Sequence, residues 1–366
     1  MSKNQQLASS IGRGTTRRNL LVNGGMQIMQ RRAFSSNAVA AVDSTLTYTL
    51  DNWSVYKVGA VGLTISQETS IAPKGFIRSL KALNTATDSS IAATDRALIA
   101  QRIEGSRIRH LLWGTPHAKP ITLSFYVRSS ITGTHGGAIG NGSDNRSYPF
   151  TYTISAADTW ERKTITIPGD TTGTWETGNA RSMQVVFGLG VGSNNSNTAG
   201  AWYAADLNSA TGATTGFMTT SAATWYLAGC QIEVGNHATD FEHRSYADDL
   251  QDCLRYYYRY SKTIAWGMFV TVRTWGPQNG DGIHSFPVPM RVAPTLTLSH
   301  AADPAHYGYT INVIAITQVD PTVFSSAGIR CSTSSNTAFL TSGAAVIQNN
   351  GANGAKDMFF DFKAEM

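Results

Sequence analysis

The change of period between Thr224 and Ser261 constrains this chain more than any other stretch. Thr224-Trp-Tyr-Leu-Ala-Gly-Cys-Gln-Ile-Glu-Val-Gly alternates, with Tyr226, Ala228, Cys230, Ile232 and Val234 on one face and Gln231 and Glu233 on the other. That pattern predicts a half-buried strand. Further on, Leu250, Cys253, Leu254 and Tyr257 recur at the i, i+3, i+4, i+7 spacing of an amphipathic helix. Ser245 and Asp248 have the spacing of a capping box. Asp248, Asp249 and Asp252 precede Arg255, Arg259 and Lys262, the order that the helix dipole favours. The spacing therefore predicts a sheet domain that closes here, one helix over Ser245 to Ser261, and a second domain beyond it.

The rest of the chain reads as strands. Residues 1–18 are small, polar and basic, unable to bury a core of their own, and predict an arm that docks on a partner. Asn19 to Arg32 reads as a first strand pair around an Asn-Gly turn. Short strands then recur at Thr45 to Leu50, Trp53 to Val58, Gly62 to Glu68, Ala97 to Ile103 and Ile121 to Arg128. Thr151 to Ile154, Arg162 to Ile167 and Met183 to Leu189 continue the series. Such spacing argues a sandwich or barrel. Trp53, Trp160 and Trp225 fall in these patterns and are expected in the core. Beyond the helix, Ile264 to Trp275, Tyr307 to Thr317, Thr322 to Cys331, Ala338 to Ile347 and Met358 to Phe362 supply further strands. Pro287, Pro289 and Pro294 confine the run between them to a sheet edge.

The expected fold is all-β: an arm over 1–18, a jelly-roll sandwich over 19–244, a connector helix over 245–262 and a smaller β-sandwich domain over 263–366. Only 14% of the residues are charged, so hydroxyl and amide groups carry solubility. The net charge of +5 is uneven, because Lys3, Arg13, Arg17, Arg18, Arg31 and Arg32 precede the first acid, Asp43. With no nucleic-acid-binding motif behind it, this basic arm points to a protein surface rather than to DNA or RNA. Three cysteines give no disulfide framework and fit a reducing compartment. No apolar run is long enough to span a membrane, and no hydrophobic signal core opens the chain.

The junction resembles one in structural proteins of tailed bacteriophages, whose sandwich ends in "W-x-LAG-x-Q-x-E-x-G-x-x-A-T-x-F-E-x-R" before "L-x-x-C-x-R-Y-Y". The matches run from Trp225, Leu227-Ala228-Gly229, Gln231, Glu233 and Gly235 through Ala238-Thr239, Phe241-Glu242 and Arg244 to Leu250, Cys253, Arg255 and Tyr256-Tyr257. The run Phe286 to Thr295 and the ending Phe362-Lys-Ala-Glu-Met resemble the second domain of the same proteins. Residues 19–245 also resemble carbohydrate-binding jelly rolls, through the opening Asn19-Leu-Leu-Val-Asn-Gly, the strand Ser124-Phe-Tyr-Val-Arg, and Trp160 with Thr164-Ile165 and Ile167-Pro168. Those modules often hold a structural calcium ion with acids on the closing strand. Here Ala228-Gly229-Cys230 stands in that place, so no metal or cofactor is expected.

No nucleophile elbow, P-loop, His-Glu-x-x-His or dinucleotide fingerprint is present, so no catalytic residue is expected. A glycan site is expected at the polar, aromatic segment ending in Trp202, Tyr203 and Asp206, joined by Trp175. The loop between Trp275 and His284 is a weaker candidate. The resemblances imply a fibre or tail-associated virion protein, assembled in the host cytoplasm, that docks on other virion proteins through its arm and displays the sandwich to a host-surface glycan. A head-decoration fibre or connector without a receptor, or a polysaccharide-degrading enzyme on the same module, are the alternatives. A homotrimer is expected, with Leu250, Leu254, Tyr257 and Tyr258 at its interface, because the aromatic face of a single 17-residue helix needs a partner.

Overall fold

The computed structural model describes residues 17–31, 38–262, 268–276, 279–298, 311–319, 326–333, 344–348 and 358–366. The chain is all-β and divides into two compact units, Met1–Arg244 and Ser245–Met366. The first sixteen residues of the expected arm lie outside the described residues.

In the first unit the strands are β1 (Ala38–Ala40), β2 (Thr47–Tyr48), β3 (Trp53–Val58), β4 (Gly62–Glu68), β5 (Ser79–Ala86), β6 (Arg96–Glu104) and β7 (Ile121–Ser129). They continue as β8 (Gly133–Asn141), β9 (Ser147–Ile154), β10 (Glu161–Ile167), β11 (Arg181–Val191), β12 (Ser196–Asn197), β13 (Ser209–Ala210) and β14 (Thr224–Val234). Two six-stranded sheets result, ordered β1-β4-β5-β14-β7-β10 and β2-β3-β6-β11-β8-β9. Every pairing within them is antiparallel. The chain passes repeatedly from one sheet to the other, the connectivity of a jelly roll. Inward residues of both sheets share one core, among them Trp53, Ile99, Phe125, Phe187 and Trp225, all fully buried.

Strand β14 departs from simple alternation. Its pairing with β7 skips between Ala228 and Gln231, where Gly229 takes a left-handed conformation with φ +56°. Before this bulge Trp225 and Leu227 face the core; after it Cys230 and Ile232 do. The expected single face from Tyr226 to Val234 is thus broken, because one extra residue reverses which side chains point inward. Tyr226 instead looks outward, edge-on to Trp160 at 6.2 Å. Trp160 precedes β10 and is half-buried on the outside, not in the core as expected.

The expected strand pair over Asn19 to Arg32 does not form. Residues 19–28 run as an irregular, largely buried segment. Its backbone groups are met individually: Asn23 Nδ2 donates to the carbonyls of Ile28 and Asp51, and Gln101 bonds both the N–H and C=O of Val22 at 2.8 Å. A buried segment without ladder partners survives only when side chains supply such bonds.

The second unit opens on α1 (Tyr246–Leu254), capped as its spacing predicts: Ser245 Oγ accepts from the N–H of Asp248 at 3.1 Å. The helix ends eight residues or so before the expected limit. Tyr257–Lys262 is strand β15. Strands β16 (Met268–Gly276), β17 (Asn279–Ser285), β18 (Thr295–Leu298), β19 (Ile311–Val319), β20 (Ser326–Thr333), β21 (Ala344–Gln348) and β22 (Met358–Lys363) follow. They form sheets ordered β15-β22-β18 and β19-β20-β17-β16-β21. Edge strand β18 follows the prolines of the run that begins at Phe286. Arg291 of that run donates to the carbonyls of Ala364 and Glu365 at 2.7 and 2.8 Å, tying it to the chain's last residues.

Candidate functional site

The outer face of the second sheet carries an open groove of about 230 Å³. Cross-strand register builds its floor. Tyr56 pairs with Leu98, Ala100 with Val186, and Arg102 with Gln184, so these side chains rise from one face in successive rows. Leu98, Ala100 and Val186 form a small apolar patch there, separate from the main core. Farther across the sheet the rows end in Gly136 and Gly188, whose missing side chains admit the crossing strand β13. A Cβ on Gly136 would stand 2.2 Å from Oγ of Ser209. The segment leading to β13 walls the groove with Asp206 and Asn208, opposite Leu46 and Tyr56.

Arginines stand at both ends. At one, Arg96 Nη1 donates to Asn208 Oδ1 at 2.8 Å and lies 3.4 Å from Asp206 Oδ2. Its guanidinium also covers the Tyr56 ring, 5.1 Å from the centroid. At the other, Arg181 pairs with Asp144, which also accepts from Gln184 Nε2 at 3.1 Å. Arg102 lies beside them. Burial pushes the pKa of its guanidinium down, and the charge of Arg181 adds to this against the hydroxyl of Tyr48 and the carboxylate of Asp144.

The four residues expected to bind glycan are not together. Trp175 and Trp202 join Trp113 in a plug of three indoles set edge to face, with centroids 4.6, 5.4 and 5.8 Å apart. Each indole N–H is spent inside the protein: Trp113 on the carbonyl of Lys119, Trp175 on Asp170 and Trp202 on the carbonyl of Pro168. Arg146 lies over Trp202 at 5.7 Å and grips the fully buried Asp170 with two bonds, of 2.9 and 2.7 Å. The plug packs against the core and holds the sandwich together. Tyr203 exchanges backbone bonds with Ser147. Asp206 alone reaches the groove.

Tyr56, Arg96, Arg102, Arg181 and Asn208 were not expected there. The available signal is on β6, where outward positions 96, 98, 100 and 102 read Arg, Leu, Ala, Arg. Two arginines on one face of a central strand, around small apolar residues, are poor core and poor solvent face alike.

Four of the matched junction residues, Gln231, Glu233, Thr239 and Glu242, meet in one network at the exit of the sandwich. Glu242 Oε2 accepts from the backbone N–H of Arg18 and of Asn19, at 3.1 and 2.8 Å. Glu233 accepts from the N–H and hydroxyl of Thr239, both at 2.8 Å, and Gln231 Oε1 accepts from the N–H of Glu242. Arg18 donates to the carbonyl of Asp240, so it belongs to the sandwich rather than to a free arm. Phe241 packs edge to face on Phe76 at 5.0 Å.

The expected oligomer residues do not share a helical stripe. Leu250 and Leu254 are half-buried on α1, whereas Tyr257 and Tyr258 lie on β15, Tyr257 buried and Tyr258 stacked on Phe362 and His284. His284 is therefore part of an aromatic stack; the side chain of Trp275 lies outside the described residues. Among the described residues no group of three or more His, Cys, Asp or Glu side chains is placed to hold a metal ion, and no helix is long and apolar enough to cross a membrane.

No family model and no curated protein matches the chain. Among solved structures it is similar to the enzymatically active domain of tailspike protein 4 of bacteriophage CBA120, at 12% identity and TM-score 0.31, covering 59% of this chain and 21% of that one. The chain thus spans about a fifth of the length of that tailspike domain. It is also similar to a putative sugar-binding protein from Bacteroides thetaiotaomicron, at 11% identity and TM-score 0.33, over 60% of this chain and all of that one. A family 11 carbohydrate-binding module from Clostridium thermocellum, in complex with a mixed-linked tetrasaccharide, matches at 12% identity and TM-score 0.27, over 56% of this chain and 98% of that one. At these values the similarities assign no function.

Proposed function

We propose that this protein is a structural, non-enzymatic component of a tailed-bacteriophage particle, fibre-like or tail-associated, whose sandwich attaches to a host-surface glycan through the groove beside Tyr56. The observation that carries the reading is the groove itself. Its apolar floor suits the C–H face of a sugar ring, and guanidinium, amide and carboxylate groups around that floor suit the hydroxyls at the ring's edge. Both carboxylates in it, Asp144 and Asp206, are paired with an arginine, which suits fixed acceptors better than a catalytic pair. The phage half of the reading rests on the junction resemblance, in which Gln231, Glu233, Thr239 and Glu242 are structural ties between the ends of the sandwich. Docking of the arm on other virion proteins belongs to the same proposal.

The test is affinity electrophoresis of the purified protein through gels containing extracted bacterial surface polysaccharides. At least one polysaccharide should retard the protein, and Tyr56→Ala should abolish the effect. Equal mobility in every gel would sink the glycan reading. The particle reading falls if mass spectrometry of gradient-purified phage finds no peptide of this chain.

A further inference from the structure

We propose that the groove selects an acidic polysaccharide, one whose sugars carry carboxylate groups, over its neutral counterpart; this rests on the glycan reading above. Three arginines, Arg96, Arg102 and Arg181, face two carboxylates, so the groove carries surplus positive charge. The two signs also differ in position. The guanidiniums rise from strands β6 and β11 and are mostly covered: the side chains of Arg96 and Arg181 are 21% and 17% exposed. The acids come from the rim, on the turn after β8 and on the crossing segment, and are 42% and 38% exposed. Ion pairs with one partner at the solvent rim are weak, so an incoming anion competes with the rim acids at little cost.

Arg96 also has donors to spare. A guanidinium presents five N–H groups, and Arg96 gives only Nη1 to Asn208 and Asp206. Its Nε is buried without an acceptor in the chain. Unmet buried donors are uncommon, and this one faces the groove, where a water or a ligand oxygen can meet it. At the far end burial lowers the Arg102 pKa and the neighbouring charge of Arg181 adds to it, so a further negative charge arriving there is favoured. A planar carboxylate matches the guanidinium fork with two parallel bonds between opposite charges, whereas a sugar hydroxyl offers one neutral acceptor.

Alginate, pectate and hyaluronan, each beside its carboxyl-reduced form, are the probes, with the full chain on a biosensor at low and high salt. The acidic forms should bind about tenfold or more tighter than the reduced ones, with the preference fading as salt rises. Arg102→Gln with Arg181→Gln should erase the preference. Asp144→Asn should tighten acidic ligands by about twofold to threefold, a gain that misfolding does not produce. Equal binding of acidic and reduced forms, or weaker binding of acidic ligands by Asp144→Asn, overturns the inference and leaves the glycan reading standing. No binding of any acidic form also overturns the inference, and the glycan reading then stands or falls by the polysaccharide gels.

Discussion

Asn19 donates through Nδ2 to the carbonyl of Cys230, 3.0 Å away and 211 positions later in the chain. Its Oδ1 accepts in return from the N–H of Ile232 at 3.0 Å and from that of Leu21 at 3.1 Å. One buried amide thus joins the entering chain to the bulged end of β14, while Glu242 holds the backbone on either side of that entry. The sandwich is closed where it is entered and left.

Asn19→Ala should therefore destabilise the first unit strongly. Two N–H groups and a carbonyl lose their buried partner, at about 1–3 kcal/mol for each group left unmet. Gly24→Ala should act at the same seam, since a Cβ there would stand 2.1 Å from the Cys230 carbonyl oxygen. Overpacking of this kind costs about 1–3 kcal/mol. Urea unfolding followed by tryptophan fluorescence reads both; an unchanged midpoint in either variant contradicts the role given to this seam.

Sequence pattern revealed the sandwich where side chains carry the signal and missed it where they do not. Gly62–Glu68 and Trp53–Val58 were read at their observed bounds because apolar and polar residues alternate along them. Strand β8, Gly-Thr-His-Gly-Gly-Ala-Ile-Gly-Asn, was missed because its glycines erase β propensity; Gly136 among them lets β13 cross. Asn19 to Arg32 looked like a hairpin because local pattern cannot show that its partners are the side chains of Asn19, Asn23 and Gln101. Tyr257 fits both a helical and a strand period. What decides is β22, whose Lys363 pairs with it a hundred residues on. The groove was hidden for a related reason: its lining comes from six separated segments, and only the fold brings them together.

Acid should weaken the protein in two steps of the same sign. Burial lowers the pKa of His135 against the opposing bond from the Ile131 carbonyl, so the folded chain keeps the ring neutral. The unfolded chain binds a proton as pH falls through about 6.5, and stability drops from there. Asp170 and Glu161 act lower. Burial alone would raise both, but Arg146 and the Trp175 N–H hold Asp170 down, and Lys163 with the N–H groups of Ala156 and Ser155 hold Glu161 at about 2. Their contribution is full above the ordinary values, 3.8 and 4.5, and is lost as pH falls through the folded ones. His135→Gln should flatten the denaturation midpoint between pH 7 and 5, and a Glu161 titration near 4.5 by NMR would contradict the second step.

A trimer, proposed from the sequence, has lost the aromatic face that argued for it, because Tyr258 is stacked within its own unit. What remains for such an interface is Leu250 and Leu254, half-buried on α1. Light scattering at micromolar concentration decides it. Three times 39.3 kDa, collapsing in Leu254→Asp, would support the ring, and a mass of 39.3 kDa would end it.

Trp202 and Tyr56 should separate stability from binding. Trp202 is half-buried, packs on Trp113, Trp175 and Tyr148, and carries Arg146 on its ring. Removing a fully buried tryptophan costs about 3–5 kcal/mol, so this partly covered one should cost roughly 2–3 kcal/mol. Trp202→Ala should therefore lower the melting temperature by several degrees and leave glycan binding within about twofold of the parent. Tyr56 is the converse case. Half-exposed on the groove wall, it belongs to the small outer patch and not to the main core, so Tyr56→Ala should cost about 1 kcal/mol or less. It removes the one aromatic surface of the groove and the support beneath Arg96, and should abolish binding. Calorimetry for stability and the biosensor for binding complete the cross. Should Trp202→Ala lose the glycan while Tyr56→Ala keeps it, the site is the indole cluster and the groove is not.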